Sequence, residues 1–378
     1  MKLALIRQRY NPYGGAERFV SRALAGLEGS GVQVSVVARD WERAGGGDLI
    51  RCDPFYFGRL WRDWSFARAA CRAIAARQFD LVQAHERIAC CDIYRAGDGV
   101  HAQWLANRAH ARGSLARVLT RFNPYHAYTL AAERRVFASP RLKAVICNSH
   151  MVAGEIRRRF RLAEDKLHVI HNGVDLEYFH PRVRAEHRSA MRARLRIAED
   201  AVVFLFVGTG FQRKGVPQLL EAFARLADRS ARLAIVGADH TQRAMRSSAA
   251  RLGIAHRVTF AGGQDDVRPW YGLADCLVLP TLYDPFPNAA LEAMACALPL
   301  ITSTSCGAAE LVLEGQNGYV CDALDSDALA DRMGRICPQA AEDLGRRARE
   351  RSLEFDLATM VGKLVRLYES LVPRVASR

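Results

Sequence analysis

Two carboxylates eight residues apart, Asp284 and Glu292, bracket the joint between a proline-bearing loop and an alanine-rich helix in residues 279–302, LPTLYDPFPNAALEAMACALPLIT. An apolar strand ends at Leu279 and another opens at Leu298. Asp284 therefore falls in the loop, and Glu292 about a turn inside the helix. The amino end of a helix attracts an anionic phosphate, and a carboxylate on each side can accept hydrogen bonds from hydroxyls. A diphosphate flanked by two polyols, which describes a nucleotide-sugar, fits that pattern. The competing reading is a strand–loop–helix corner whose acids only cap and solvate.

The second such segment is 207–215, VGTGFQRKG, between a buried strand and a helix expected at 216–227. Its glycines let backbone approach a ligand closely, and Arg213-Lys214 at a strand's carboxyl end can meet a diphosphate. As a solvated pair the same two cations would mean nothing. The GxxxxGK[ST] spacing is absent, and no GxGxxG opens a helix here or at Gly14-Gly15, which disfavours nicotinamide binding. Asp325-Ser326-Asp327 is the only DxD, and Asp325 reads as a cap opening a helix at 328–336. No metal site is expected there.

These segments need a scaffold, and the chain supplies two series of alternating strands and helices. Strands are expected at 2–6, 32–38, 81–84 and 144–147, with a helix at 16–27 after the Gly14-Gly15 turn. A fresh series runs through 202–208, 232–237, 258–261, 276–279 and 298–302. Between them, residues 171–175 (HNGVD) carry an Asn-Gly turn signal. The β-α-β rhythm implies α/β architecture with parallel sheets. Such sheets bind ligands at the carboxyl ends of their strands, so two doubly wound Rossmann-like domains facing a central cleft are expected. They would span 1–172 and 173–355, and a helix over 353–372 with an apolar stripe would let residues 356–378 pack back toward the first domain.

At 378 residues, half of them hydrophobic, the chain can bury two cores, and no apolar run is long enough to cross a bilayer. The start, MKLALIRQRY, reads as a strand interrupted by charge rather than a signal peptide. Ten cysteines lie without CxxC or matching His spacing, so neither a zinc site nor a disulfide framework is expected. Cys147, Cys276 and Cys296 sit in apolar runs as small hydrophobes. The chain reads as cytoplasmic.

The net charge of +14 is lopsided: residues 1–172 carry 28 cations and 15 acids, the rest 26 and 25. A polyanionic partner met by the N-terminal half follows: nucleic acid, an anionic membrane or a phosphorylated glycolipid. Much of the excess lies in 100–137, where Arg108, Arg112, Arg117, Arg121, Arg134 and Arg135 face Glu133 alone. They interleave with Trp104, Leu105, Leu115, Leu119, Phe122, Tyr125 and Tyr128. Such a segment suits anionic lipid headgroups; the alternative is a solvated helix with its apolar side on the core. A basic nucleic-acid-binding protein is the nonenzymatic reading, and no helix-turn-helix, zinc-finger or RNA-binding signature supports it.

In order, Gly14-Gly15-Ala16-Glu17, Asn172-Gly173-Val174-Asp175, Arg213-Lys214-Gly215 and Asp284-x7-Glu292 resemble the retaining glycosyltransferases of family 4, which have the GT-B fold. The likeness spans nearly the whole chain. Residues 207–216 and the basic region after Ala96-Gly97-Asp98 are most similar to the branch that glucosylates heptose in the lipopolysaccharide inner core. The resemblance implies a metal-independent hexosyltransferase needing no cofactor, with UDP-glucose as donor and an anionic glycolipid as acceptor. It would work peripherally at the inner leaflet of the cytoplasmic membrane, without nucleic acid.

By the same resemblance, Glu292 holds the ribose hydroxyls and Asp284 the hydroxyls of the donor hexose. Lys214 and Arg213 neutralise the leaving diphosphate, helped by backbone at Gly14, Gly15, Gly208 and Thr209. Phe286 and the helix start at Asn288, Ala289 and Ala290 complete the donor site. Asp98 matches an acceptor-side polar position near the reacting centre, with His101 and His85 as competing candidates. Arg108, Arg112, Arg117 and Arg121 lie on the acceptor or membrane side. Three departures bear on donor identity: an aspartate at 284 where the family usually has glutamate, Pro287 where glycine is frequent, and Thr209 where many relatives have arginine.

Overall fold

The structure is a computed structural model describing residues 1–8, 26–27, 29–40, 48–112 and 123–372. The chain divides into two units, Met1–Asn172 with Leu357–Arg378, and Gly173–Asp356.

The first unit is built on seven parallel strands: β1 (Lys2–Ile6), β2 (Gln33–Ala38), β3 (Asp48–Arg51), β4 (Leu81–Ala84), β5 (Ile93–Arg95), β6 (Ala144–Cys147) and β7 (Leu167–Val169). Their order is β3-β2-β1-β4-β5-β6-β7. The connections carry α1 (Gly58–Ala75), α2 (His101–Arg112), α3 (Pro124–Phe137) and α4 (His150–Phe160). Strands β4 and β6 are buried along their whole length, as a parallel sheet covered on both faces requires. Asn123 caps α3 by accepting the Tyr125 amide at 2.9 Å, with Pro124 in the first turn. Residues 26–27 are helical; the rest of the helix expected at 16–27, with Gly14 and Gly15 before it, lies outside the described residues.

One expectation is overturned. Cys71 on α1 and Cys90 after β4 form a disulfide, their Cα atoms 5.9 Å apart. The partners stand 19 residues apart on different elements, so no local spacing announces them. The other described cysteines are free, all buried but Cys337. Burial pushes the Cys147 thiol up to about 12.

The second unit has β8 (Val203–Val207), β9 (Arg232–Val236), β10 (Val258–Gly262), β11 (Cys276–Leu279), β12 (Leu300–Ser303) and β13 (Gly318–Cys321), ordered β10-β9-β8-β11-β12-β13 and parallel throughout. Helices α5 (Arg182–Leu195), α6 (Val216–Arg225), α7 (Gln242–Arg251), α8 (Arg268–Leu273), α9 (Asn288–Ala295), α10 (Ser326–Gly334) and α11 (Pro338–Ser352) complete it. In both sheets the chain winds outward from the first strand to one edge and then back past it. Strand order reverses between β1 and β4, and again between β8 and β11. At such a switch point the loops beyond the strands diverge and leave a crevice.

The C-terminal segment is not one helix from 353. Residues Leu353–Phe355 form a 3₁₀ turn and Asp356 is extended, making a parallel bridge with Val174. Helix α12 (Leu357–Leu371) then places Met360, Val361, Leu364, Leu367 and Tyr368 in one core cluster with β1 and β2. The Tyr368 hydroxyl donates to Gln83 Oε1 at 2.8 Å, so the last helix is latched to β4.

Asp275, just before β11, is 1 % exposed. It binds Arg184 and Arg188 at 3.0 Å and the fully buried Arg192 at 3.2 Å, and accepts the Val203 amide at 2.9 Å. This cluster ties α5 to the two central strands. Removing one partner of a buried ion pair strands the other's charge. Asp275→Asn should therefore lower the unfolding free energy by about 3–5 kcal/mol, read as a shift in the urea midpoint; a loss near zero contradicts that role.

Candidate functional site

The crevice between β8 and β11 is formed by residues 208–215 after the first strand and 280–287 after the second. Leu282 N donates to Arg213 O at 2.8 Å, Thr281 Oγ1 to Arg213 O at 3.2 Å, and Arg213 Nη1 to Tyr283 O at 3.0 Å. The two loops are thus clipped into one surface. Gly215 has φ of +76°, and a Cβ there would lie 1.9 Å from the Pro280 carbonyl oxygen. Only glycine allows that approach. A Cβ on Gly208 would meet the Lys214 side chain at 3.0 Å, so glycine at 208 leaves the bed in which Lys214 lies.

Lys214 Nζ stands 3.1 Å from Asp284 Oδ2, and Arg213 Nη2 stands 4.0 Å from the same oxygen. Burial pushes the Asp284 carboxyl up, but Lys214, Arg213 and a hydrogen bond from the Phe286 amide outweigh it and hold it below the usual carboxylate range. The carboxylate is therefore ionised. An ammonium has three donors and a guanidinium five, so the cluster can also take the oxygens of an anionic ligand.

The turn beneath these cations is held by Asp239, which the sequence reading did not single out. It accepts the amides of Gly210 and Phe211 at 2.8 and 3.0 Å, the Thr241 amide at 2.8 Å and the Thr241 hydroxyl at 2.6 Å. Burial pushes its carboxyl up, and the bonds from Thr241 and the two amides bring it below the ordinary value. Its only sequence signal is its place just beyond the end of β9.

Helix α9 opens at Asn288 behind Pro287, with no side-chain cap and no acid in its first turn. Ala289 and Ala290 are packed into the core, and the Ala290 amide donates back to Pro287 O at 3.1 Å. Glu292 is 1 % exposed, and the Tyr271 hydroxyl on α8 donates to its Oε2 at 2.9 Å. Tyr271 is a second residue the sequence reading missed. The structure thus brings Gly208, Arg213, Lys214 and Asp284 together with the Phe286 backbone, sets Glu292 against Tyr271, and leaves the Thr209 side chain exposed.

The DxD acids are engaged elsewhere. Asp325 caps α10 by accepting the amides of Asp327 and Ala328 at 3.1 and 2.8 Å, and Asp327 pairs with Arg225 at 3.2 Å. Among the described residues no group of three or more His, Cys, Asp or Glu could hold a metal ion.

In the first unit a cavity of about 270 Å³ opens beyond β1 and β4, its walls including Arg7, Arg62, Arg87, Asp98, Tyr125 and Tyr128. Of the three acceptor-side candidates, Asp98 lines it; His85 and His101 do not. His85 is buried and its Nε2 is 2.9 Å from Gln83 Nε2; burial, then Arg95 and Arg7, push its pKa well down. His101 Nε2 lies 3.1 Å from His126 Nδ1, and burial with Arg87 and His126 lowers its pKa to about 3. The buried Glu133, which the sequence set against a row of arginines, instead accepts the His101 amide at 2.9 Å and Arg87 at 3.2 Å. Arg108 reaches His126 Nε2 at 3.5 Å. Arg117, Arg121 and the Arg112 side chain lie outside the described residues. Two of the lipid anchors expected from this region also differ: Tyr125 and Tyr128 face the cavity.

Residues 13–178 match the family model described as Glycosyltransferase Family 4, and residues 187–351 the one described as Glycosyl transferases group 1. A D-inositol 3-phosphate glycosyltransferase of Streptomyces scabiei is 30 % identical over 71 % of this chain and 65 % of that protein. The lipopolysaccharide glucosyltransferase WaaG of Escherichia coli K12 is 24 % identical over 85 % of both. The chain spans about half to two thirds of the length of the first curated relatives it matches. Among solved structures, WaaG, described as involved in lipopolysaccharide biosynthesis, superposes with a TM-score of 0.83 at 22 % identity, covering 97 % of this chain and 99 % of that one. Anabaena Alr3699/HepE, in complex with UDP and glucose, does so at 0.74 and 21 %, covering 98 % and 100 %.

Because the Asp284 pKa is depressed in the folded chain, its stabilisation is complete above the unfolded value and is lost as pH falls through the folded one. Thermal stability of the wild type should exceed that of Asp284→Asn at neutral pH. The gap should close only at pH values below the ordinary carboxylate range, and a pH-independent gap contradicts the ion pair's role.

Proposed function

We propose that this chain, which belongs to glycosyltransferase family 4 and has the GT-B fold, transfers a hexose from a nucleotide-sugar held in the crevice between β8 and β11. The observation that carries this is the cationic pair Arg213-Lys214 lodged against Asp284 at the switch point of the second sheet. Lys214 and Arg213 receive the diphosphate, Glu292 on Tyr271 receives the ribose hydroxyls, and Asp284 receives hydroxyls of the hexose. The anomeric carbon–oxygen bond to the diphosphate breaks as the acceptor hydroxyl attacks from the same face, so configuration is retained. The departing phosphate oxygen takes the hydroxyl proton, and its growing charge is met by side chains already in place.

The finer reading is glucose from UDP-glucose placed on the heptose region of the lipopolysaccharide inner core, with the acceptor sugar in the cavity lined by Asp98. The likeness to the E. coli enzyme over 85 % of both chains, the UDP and glucose bound by the Anabaena protein and the basic first unit support it. An acceptor of this kind is lipid-anchored, and the enzyme would work peripherally on the cytoplasmic face of the inner membrane. Among the described residues no helix is long and apolar enough to cross a membrane. The second reading is a soluble phosphorylated polyol acceptor, favoured by the higher identity of the Streptomyces D-inositol 3-phosphate enzymes.

The test is turnover of UDP-glucose on unglucosylated inner-core lipopolysaccharide against D-inositol 3-phosphate. Transfer to the first alone is expected. Lys214→Ala should lower kcat by about 10²–10³, and a chelator should leave the wild-type rate unchanged. Near-normal turnover by Lys214→Ala would remove the leaving-group role, and transfer to inositol phosphate would replace the acceptor.

A further inference from the structure

Among the described residues eleven large hydrophobic side chains are exposed, and six of them fall within residues 49–64. They include every exposed phenylalanine and tryptophan: Phe55 and Phe57 at 78 and 83 %, Trp61 and Trp64 at 43 %. Phe55 and Phe57 form the approach to α1, and Phe55 meets Trp61 edge-on at 5.6 Å. Along the helix the exposed positions 57, 61, 64, 68 and 72 recur every three or four residues, which is one stripe. Its first half is aromatic and its second is Arg68 and Arg72. Arg68 lies over the Trp64 ring at 5.2 Å.

The charges around this stripe have one sign. Asp53 is bound by Arg39 at 3.0 Å and Asp63 by Arg62 at 2.9 Å. Arg68 and Arg72 are exposed, and no carboxylate pairs with them among the described residues, whereas Arg59 turns to the cavity side and lies over the Tyr125 ring at 4.6 Å. The opposite face of α1 holds Arg62, Asp63, Phe66 and Ala67 in the wall of the 270 Å³ cavity. One helix, about 10 Å across, therefore separates an aromatic and cationic surface from the cavity assigned to the acceptor sugar.

We propose that this face of α1, with the loop before it, docks the protein on an anionic bilayer. Phe55, Phe57, Trp61 and Trp64 enter the headgroup layer, where amphipathic rings settle. Arg68 and Arg72 meet lipid phosphates. The inference rests on the reading that the acceptor is lipid-anchored, and it moves the contact from the basic region 100–137 to α1. The geometry gives the docking a purpose: it holds the cavity one helix away from the surface in which such an acceptor sits.

The test uses the full chain and vesicles of phosphatidylcholine and phosphatidylglycerol in equal parts. The wild type should sediment with them, and lipids brominated in the upper acyl chain should quench Trp61 and Trp64. Trp61→Ala/Trp64→Ala should weaken partitioning by on the order of tenfold or more, and Arg68→Gln/Arg72→Gln by about fivefold per arginine. Unchanged partitioning by both variants overturns the proposal, as does a solution dimer that the tryptophan substitutions dissolve, which would assign the patch to a second copy. Thermal stabilisation by UDP-glucose, measured on the same variants, should be retained. Its absence from every form, wild type included, would count against the transferase reading while the vesicle result still decides the docking surface.

Discussion

A parallel sheet whose strand order reverses leaves two neighbouring strands with loops that part company, and the candidate donor site exists because of that parting. In the second unit the reversal falls between β8 and β11, whose residues are all buried. Neither strand can offer side chains to a ligand. The loops beyond them must do so, and they do it through a salt bridge, Lys214 to Asp284, that ties one loop to the other. The pair is mostly enclosed, with Lys214 and Asp284 side chains 12 and 9 % exposed. Such a pair is retained at a desolvation cost, which makes sense where the two charges are also wanted by a ligand.

The three acids around the crevice differ because their surroundings differ. Asp284 is held ionised by cations, and so remains an acceptor of hydrogen bonds. Asp239 accepts four bonds from backbone and hydroxyl donors, which shape the turn that carries Arg213 and Lys214. Glu292 lies in a helix otherwise made of small apolar residues, with Tyr271 fixing one of its oxygens. Alanines let α9 sit close under β11 and β12, and a charged residue in such a helix stands out against its neighbours.

That contrast is why much of the donor side was legible in the sequence. Fully buried strands announce themselves as unbroken apolar runs, and β8, β9, β11 and the core of β12 fall within a residue or two of where those runs lie. Three of the four edge strands escape for a physical reason: β3 (DLIR), β7 (LHV) and β13 (GYVC) are three or four residues long and only partly buried, so no apolar run marks them, whereas the five-residue edge strand β10 falls on the expected 258–261. Strand β5 is buried but holds Arg95, whose charge is met far along the chain by Asn172 at 2.7 Å. Tyr271, Asp275 and the Cys71–Cys90 bond act through partners brought near by topology, as does Asp239 toward Gly210 and Phe211, and no local spacing encodes those contacts. The first unit was harder still. Its basic excess reads as one surface over 100–137, whereas Tyr125 and Tyr128 there face the cavity and the exposed phenylalanines and tryptophans lie on α1 and the loop before it.

The most direct test of the donor site is calorimetric titration of the full chain with UDP-, GDP- and ADP-glucose in the absence of added metal. The account predicts that UDP-glucose binds, that the other two bind more weakly, and that Glu292→Ala abolishes the difference together with most of the affinity. Binding of none of the three, or UDP-glucose affinity untouched by Glu292→Ala and Lys214→Ala, would contradict it.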